Sequence, residues 1–141
     1  MSITISSIYY SPVKSISFQQ ISKCQIKKNI GIINDRIFAF SRLLESRKAQ
    51  RIEQDPSARK LINFLTLKNT PILNKYLFEY NKGKLELFKN EKKLSSIDPN
   101  NLNETRLLEK EISNLDSLVK SPVFLLKNKN KPFFDTNSGG E

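Results

Sequence analysis

Short apolar runs alternate with polar turns through the first forty residues, a pattern typical of β-strands joined by tight connections. No apolar stripe continues there at helical spacing. The pattern predicts a strand over about 3–10 that is stopped by Pro12, and a second over about 16–28. The unbroken apolar run 37–40 predicts a strand that is buried on both faces.

Residues 41–63 are charged and lack alternation, so we expect an excursion that contains one short helix. Asp55 followed by Pro56 is typical of a helix N-cap with proline in the first turn. The apolar residues at 64–67 then predict a return to strand structure.

The clearest element is a hairpin between about residues 76 and 87. Tyr76, Phe78 and Tyr80 alternate with other side chains, and two alternating leucines follow across a turn that contains Gly83.

One amphipathic helix is expected over about 103–120. Its apolar residues fall at i, i+4, i+7 and i+11, Asn103 is the predicted cap and Pro122 the stop. These apolar residues are Leu108, Ile112, Leu115 and Val119. A further apolar run follows at 123–126.

These elements predict a mainly β, α+β fold, because several short strands in about ninety residues avoid exposed edges by closing into a small barrel. The barrel would span residues 1–90, with the helical excursion at 41–63. Residues 91–141 would hold a linker, the amphipathic helix and a last apolar run.

The 141 residues suffice for one ordinary domain with one core. No apolar stretch is long enough to cross a bilayer and the N-terminus lacks the features of a signal peptide, so we expect a cytoplasmic protein. The single Cys24 lies in an alternating strand, with Ile26 on its inward face, and the chain has no histidine. With no histidine to act as a base, Cys24 is expected to be a small core residue and not a nucleophile. The shortage of nitrogen and sulfur ligands also disfavours a protein-bound transition metal.

The formal net charge is +10, which raises the possibility of nucleic-acid binding. Residues 1–70 carry 12 Lys and Arg against 4 Asp and Glu, whereas residues 71–141 carry 12 against 10. Exposed aromatic rings would be needed to stack on bases, but a protein of this size needs its aromatics for the core. The basic residues of the excursion are more often a solvated face. They are Arg42, Arg47, Lys48, Arg51, Arg59 and Lys60.

Two polar turns stand out as candidates for anion binding. Pro12-Val13-Lys14-Ser15 places an ammonium, a hydroxyl and backbone N–H groups after a strand. The alternative is a solvated turn lysine.

The second candidate turn contains Gly31 and ends in Asp35-Arg36. An aspartate beside an arginine can orient the guanidinium toward a planar or phosphate partner. Here the alternative is a structural ion pair. The chain has no glycine-rich phosphate loop or Ser-His-Asp set, so the sequence offers no catalytic machinery of its own.

The order of these features resembles the N-terminal β-barrel region of MOSC-domain proteins, the molybdenum-cofactor sulfurase C-terminal family. The resemblance covers about residues 3–90. The matching residues are Pro12, Val13, Lys14, Ser15, Gly31, Asp35, Arg36, Phe38, Phe64, Leu65, Thr66 and Pro71.

The resemblance implies binding of the molybdenum cofactor, molybdopterin, with Lys14, Ser15 and Arg36 on the phosphate side of the pterin and Asp35 as orienter. The family's molybdenum-binding or sulfur-carrying cysteine belongs to a second, downstream MOSC domain, and Cys24 does not match it. The sequence at 132–136 looks like the approach to that domain. We therefore expect a fragment that is inactive alone, from a sulfur-transfer or molybdenum oxidoreductase component.

Two alternatives remain open at this point. One is a small basic barrel that binds single-stranded nucleic acid. The other is a protein-interaction module whose helix at 103–120 docks on a partner.

Overall fold

The computed structural model describes residues 1–129 and 131–133. About 31% of the residues are in strands and 24% in helices. The strands are β1 Ile8–Tyr10, β2 Gln19–Ile21, β3 Ile26–Lys27, β4 Gly31–Ile32, β5 Phe38–Arg42, β6 Tyr76–Asn81, β7 Lys84–Lys89, β8 Lys92–Ile97 and β9 Val123–Lys127. The helices are α1 Ser46–Gln54 and α2 Leu102–Ser113, and short 3₁₀ turns lie at Pro56–Ala58, Leu61–Asn63 and Pro71–Lys75.

The strands form four separate antiparallel sheets, and the described residues contain no closed barrel. Three sheets are two-stranded, β1–β2, β3–β4 and β5–β9, and the fourth has the order β6–β7–β8. The fold is mixed α and β, which agrees broadly with the predicted α+β class, but the predicted closed barrel is absent from the described residues. The strands of the first forty residues, two or three residues long, are too short to wrap around a barrel, and helices and 3₁₀ turns take the place of strands in the middle of the chain.

The first two predicted strands were too long because several of their apolar side chains stay in solvent. Ile3 and Ile5 are 96% and 75% exposed, and the first strand begins only at Ile8. Ile26, expected to face inward with Cys24, is 73% exposed. Alternation along the sequence therefore does not correspond to burial in this part of the chain.

The excursion contains its predicted helix, but the helix precedes Asp55 instead of following it. Asp55 ends α1 and is the N-cap of the 3₁₀ turn Pro56–Ala58, where its side chain accepts a hydrogen bond from the Ser57 amide. The predicted strand at 64–67 is absent as a strand, since Phe64 makes an isolated bridge to Ser41. Phe64 and Leu65 are nevertheless buried.

Two predictions of strands are confirmed. β5 is buried at four successive residues, 38–41, which matches the unbroken apolar run. The β6–β7 hairpin pairs Asn81 with Lys84 across Lys82 and Gly83, whose φ of +74° fits glycine in a tight turn. β8 was not predicted and extends this hairpin into a three-stranded sheet.

The later part of the chain shares the core of the earlier part. β9 pairs with β5 over five residues, and Leu108 and Ile112 of α2 are 1% and 0% exposed in the main hydrophobic cluster. The boundary predicted at residue 90 lies in the turn between the paired strands β7 and β8. α2 therefore packs against the body of the protein, and its apolar face is not available to a partner.

α2 is shorter than predicted and begins at a different cap. Asn101, not Asn103, accepts hydrogen bonds from the amides of Asn103 and Glu104 at 3.0 and 3.2 Å. The helix ends at Ser113, and Val119 reaches the core from a separate turn. Within the described ranges, no helix is both long and apolar enough to cross a bilayer.

Two glutamates hold the edge of β9 that faces away from β5. Glu53 of α1 accepts a hydrogen bond from the Lys127 amide at 2.8 Å, and Glu109 of α2 accepts one from the Leu125 amide at 2.8 Å. Each helix is thus attached to the same strand by a carboxylate that replaces a neighbouring strand.

We predict that Leu108→Ala lowers the free energy of unfolding by about 2–5 kcal/mol, because it leaves a cavity in the core. Leu107 is the matched control, since its side chain is 69% exposed and its truncation should change stability by less than about 0.5 kcal/mol. Urea unfolding followed by circular dichroism measures both. Equal losses in the two variants would contradict the packing of α2.

Glu109 also predicts a pH dependence of stability. Burial raises the pKa of Glu109 above its ordinary value, and the bond from Leu125 offsets this in part. The carboxyl group of Glu109 therefore keeps its proton to a higher pH in the folded protein than in the unfolded chain. Its contribution to the free energy of unfolding is fully present below the ordinary carboxyl pKa and is lost as the pH rises through the pKa of the folded protein.

Glu109→Gln should abolish this loss, so that its stability relative to wild type is higher at pH 7 than at pH 4. Chemical unfolding across that range measures the difference, with the exposed Glu91→Gln as control. A constant difference between Glu109→Gln and wild type would contradict the assignment.

Candidate anion-binding site

The two turns singled out in the sequence lie side by side. The Arg36 amide donates to the Ser11 carbonyl at 2.6 Å, the Phe38 amide to the Pro12 carbonyl at 2.9 Å, and the Lys14 amide to the Phe38 carbonyl at 2.8 Å. Val13 and Phe38 form a parallel bridge. The two turns therefore lie against each other, and we call residues 11–15 together with 35–36 the turn pair.

Asp35 joins the turn pair through its side chain. It is 4% exposed, and its Oδ1 accepts the Ser11 amide at 3.0 Å. Its Oδ2 accepts hydrogen bonds from Nε and Nη2 of Arg36 at 3.0 and 2.8 Å. The carboxylate thus binds the Nε–Nη2 edge of the guanidinium, a contact that fits both alternatives from the sequence, an oriented guanidinium and a structural ion pair.

Two of the predicted site residues adopt left-handed backbone conformations. Ser15 has a φ of +61° and Arg36 a φ of +49°. Such conformations are uncommon for residues other than glycine and require support from the surrounding structure. For Arg36 that support includes the backbone bond to Ser11 and the side-chain pair with Asp35.

Lys14 differs from its prediction because its side chain turns inward. The residue is 3% exposed, and its Nζ lies 5.8 Å from the centroid of the buried Phe64 ring. It is therefore neither a solvated turn lysine nor a cation that reaches past the sheet. An ammonium at this depth adds positive potential to the turn pair from below the surface.

Phe18 was not predicted as part of the site. Its ring is 51% exposed, and its centroid lies 5.6 Å from Cζ of Arg36, whose side chain is 25% exposed. The sequence placed Phe18 in a long strand and gave no sign of this exposure. The result is an open aromatic face beside an oriented guanidinium.

The chain returns to the turn pair at Phe133. The Phe133 amide donates to the Arg36 carbonyl at 2.8 Å, and its ring packs edge-on to Phe64 at 5.9 Å. Cζ of Arg59 lies 4.2 Å from the Phe133 ring centroid. Arg59, grouped by the sequence with a solvated basic face, is only 8% exposed.

Several aromatic rings that could have stacked on bases are buried, whereas Tyr9 and Phe18 are about half exposed. Phe38, Phe40 and Phe133 are 1–3% exposed, although Tyr9 remains 53% exposed. Phe134, a further candidate, lies outside the described residues. Among these described rings, stacking on bases, which the nucleic-acid alternative requires, would therefore have to use Tyr9 and Phe18.

Within the described part of the chain, no group of three or more histidine, cysteine, aspartate or glutamate side chains is placed to hold a metal ion. Cys24 is a half-buried free thiol. The chemistry of the turn pair is therefore that of hydrogen-bond donors and positive charge.

Comparisons with known protein families, curated proteins and solved structures give no match to this chain. The resemblance to MOSC-domain proteins thus stays a prediction that depends on the residues themselves.

We predict that Asp35→Asn lowers the free energy of unfolding by about 1–3 kcal/mol, because the amide leaves the Arg36 guanidinium without its charged acceptor. Asp98→Asn is the matched control. Its carboxylate accepts the Asn100 amide at 2.8 Å near the surface, and we expect a change below about 0.5 kcal/mol. Urea unfolding measures both, and an equal effect would contradict the anchoring role of Asp35.

Proposed function

We propose that this chain binds the phosphate side of a molybdopterin-type cofactor through the turn pair, as the scaffold half of a MOSC-type protein. The observation that carries the proposal is the Arg36 guanidinium, fixed along one edge by the buried Asp35 and placed beside the Ser11–Ser15 turn. A guanidinium oriented in advance binds a phosphate with a smaller loss of side-chain entropy.

The exposed ring of Phe18 supports a guest that is both anionic and planar. A pterin is a flat heterocycle, and a half-exposed aromatic ring next to an arginine offers it a stacking surface. Ser15, half-buried in its left-handed conformation, contributes a hydroxyl to the same turn.

Charge also favours an anionic guest. The buried ammonium of Lys14 lies in the same segment, and the first seventy residues carry the larger share of the net charge of +10. A phosphate dianion that leaves water requires such cations and donors.

The donor set fits the phosphate of the cofactor but not its metal. Ser15 and Arg36 would hold the phosphate, the buried Lys14 would add positive charge beneath them, and Asp35 would keep Arg36 oriented. When bound, the cofactor would supply sulfur-transfer or redox chemistry, with a thiolate ligand from a downstream MOSC domain as partner. Within this proposal the chain alone is inactive, and the protein is cytoplasmic.

Titration of the chain with purified molybdopterin, followed by its intrinsic pterin fluorescence, tests the proposal. We expect Arg36→Gln to weaken binding by about tenfold or more, the loss of a charge-assisted pair. Arg36→Lys keeps the charge but loses the two-point contact with Asp35, so its affinity should lie between those of wild type and Arg36→Gln.

Lys92→Gln, which neutralises an exposed lysine of β8, is the control for overall charge. The folded fraction of each variant is determined by circular dichroism before the titration. Equal affinity of wild type, Arg36→Gln and the double variant Lys14→Ala/Arg36→Ala would remove the assignment. A single-stranded oligonucleotide in a parallel titration reports the nucleic-acid alternative, which predicts a steep loss of affinity with salt.

A further inference from the structure

A second surface lies between α1 and the 3₁₀ turns that follow it. This groove has a volume of about 360 Å³, which falls at the lower end of the range for binding pockets. Aliphatic side chains of Leu44, Ile52 and Ala58 line it. We call it the basic groove because every charged residue in its described lining is a cation.

The cations of the basic groove are Lys48, Arg51 and Lys60, and no carboxylate is among its described lining residues. Lys48 and Lys60 are exposed. Arg51 makes one weak contact, at 3.8 Å from Asp55, and its side chain remains 74% exposed. The groove thus combines an apolar lining with positive charge that is open to solvent.

Residues next in sequence to the groove lining also expose apolar side chains. Leu61 and Ile62, which directly follow Lys60, are 43% and 63% exposed, and Leu43, which precedes Leu44, is 51% exposed.

We propose that the basic groove binds an acidic, amphipathic segment of a partner protein. An apolar side chain of the partner would enter between Leu44, Ile52 and Ala58, and its carboxylates would face Lys48, Arg51 and Lys60. This is the arrangement by which an amphipathic helix docks in a groove. Opposite charges at the rim steer and orient such a segment.

The lining favours a peptide over a nucleic acid. Binding of single strands uses aromatic rings on which bases stack, and none of the described lining residues is aromatic. A concave aliphatic surface instead fits single apolar side chains. This proposal is independent of the turn pair, because the groove is lined by other residues.

The probe is a fluorescein-labelled helical peptide of glutamates with leucines at i, i+3, i+4 and i+7, and fluorescence anisotropy measures its binding to the full chain. A peptide of the same composition with scrambled leucines controls for charge alone. We expect the amphipathic peptide to bind, and the scrambled one to bind at least about fivefold more weakly, because it lacks a continuous apolar face.

Lys48→Glu/Lys60→Glu should weaken binding by about fivefold or more. The matched control is Lys92→Glu/Lys120→Glu, which makes the same change in net charge at exposed lysines outside the groove and should leave affinity unchanged. Circular dichroism confirms that both variants are folded.

Three results would overturn the proposal. They are absence of binding at millimolar peptide, equal loss in the two double variants, and no preference for the amphipathic over the scrambled peptide. An oligonucleotide, or vesicles of phosphatidylserine and phosphatidylcholine, that bind more tightly than the peptide and lose affinity in Lys48→Glu/Lys60→Glu would instead assign the groove to a nucleic acid or a membrane.

Discussion

One buried carboxylate, that of Asp35, joins two turns that are 24 residues apart in the chain. It accepts a hydrogen bond from the Ser11 amide in one turn. From the other turn it accepts hydrogen bonds from Nε and Nη2 of Arg36. A buried carboxylate is stable only when its oxygens are hydrogen-bonded and its charge is compensated, and here both needs are met by residues of the turn pair. The placement of Arg36, and with it the candidate site, depends on this interaction.

The elements that sequence could predict are those in which local pattern and tertiary burial agree. β5 is apolar at the first three of its four buried residues, and the β6–β7 hairpin combines alternation with a glycine at a position of positive φ. The predictions of strands fail where an apolar pattern in the sequence is not matched by burial in the structure. Ile3, Ile5 and Ile26 look like inward-facing strand residues but remain in solvent, so the pattern predicted longer strands than are seen and a barrel that residues 1–129 and 131–133 do not form.

The candidate site likewise has some features that the sequence predicted and others that it did not. The types and order of the turn residues indicated that an aspartate would orient an arginine, and the structure has that contact. Side-chain direction depends on contacts with distant segments and was not predictable. Lys14 turns inward to Phe64, fifty residues later in the chain, and Phe18 remains open beside Arg36. Arg59 is buried because it donates to the carbonyls of Lys131 and Pro132, which no local pattern reveals.

The attachment of residues 131–133 has a mechanical consequence. Arg59 links these residues to the Ile52 carbonyl of α1, while the Phe133 amide is bonded to the Arg36 carbonyl. A displacement of Phe133 would therefore disturb both α1, through Arg59, and the backbone of Arg36, to which its amide is bonded.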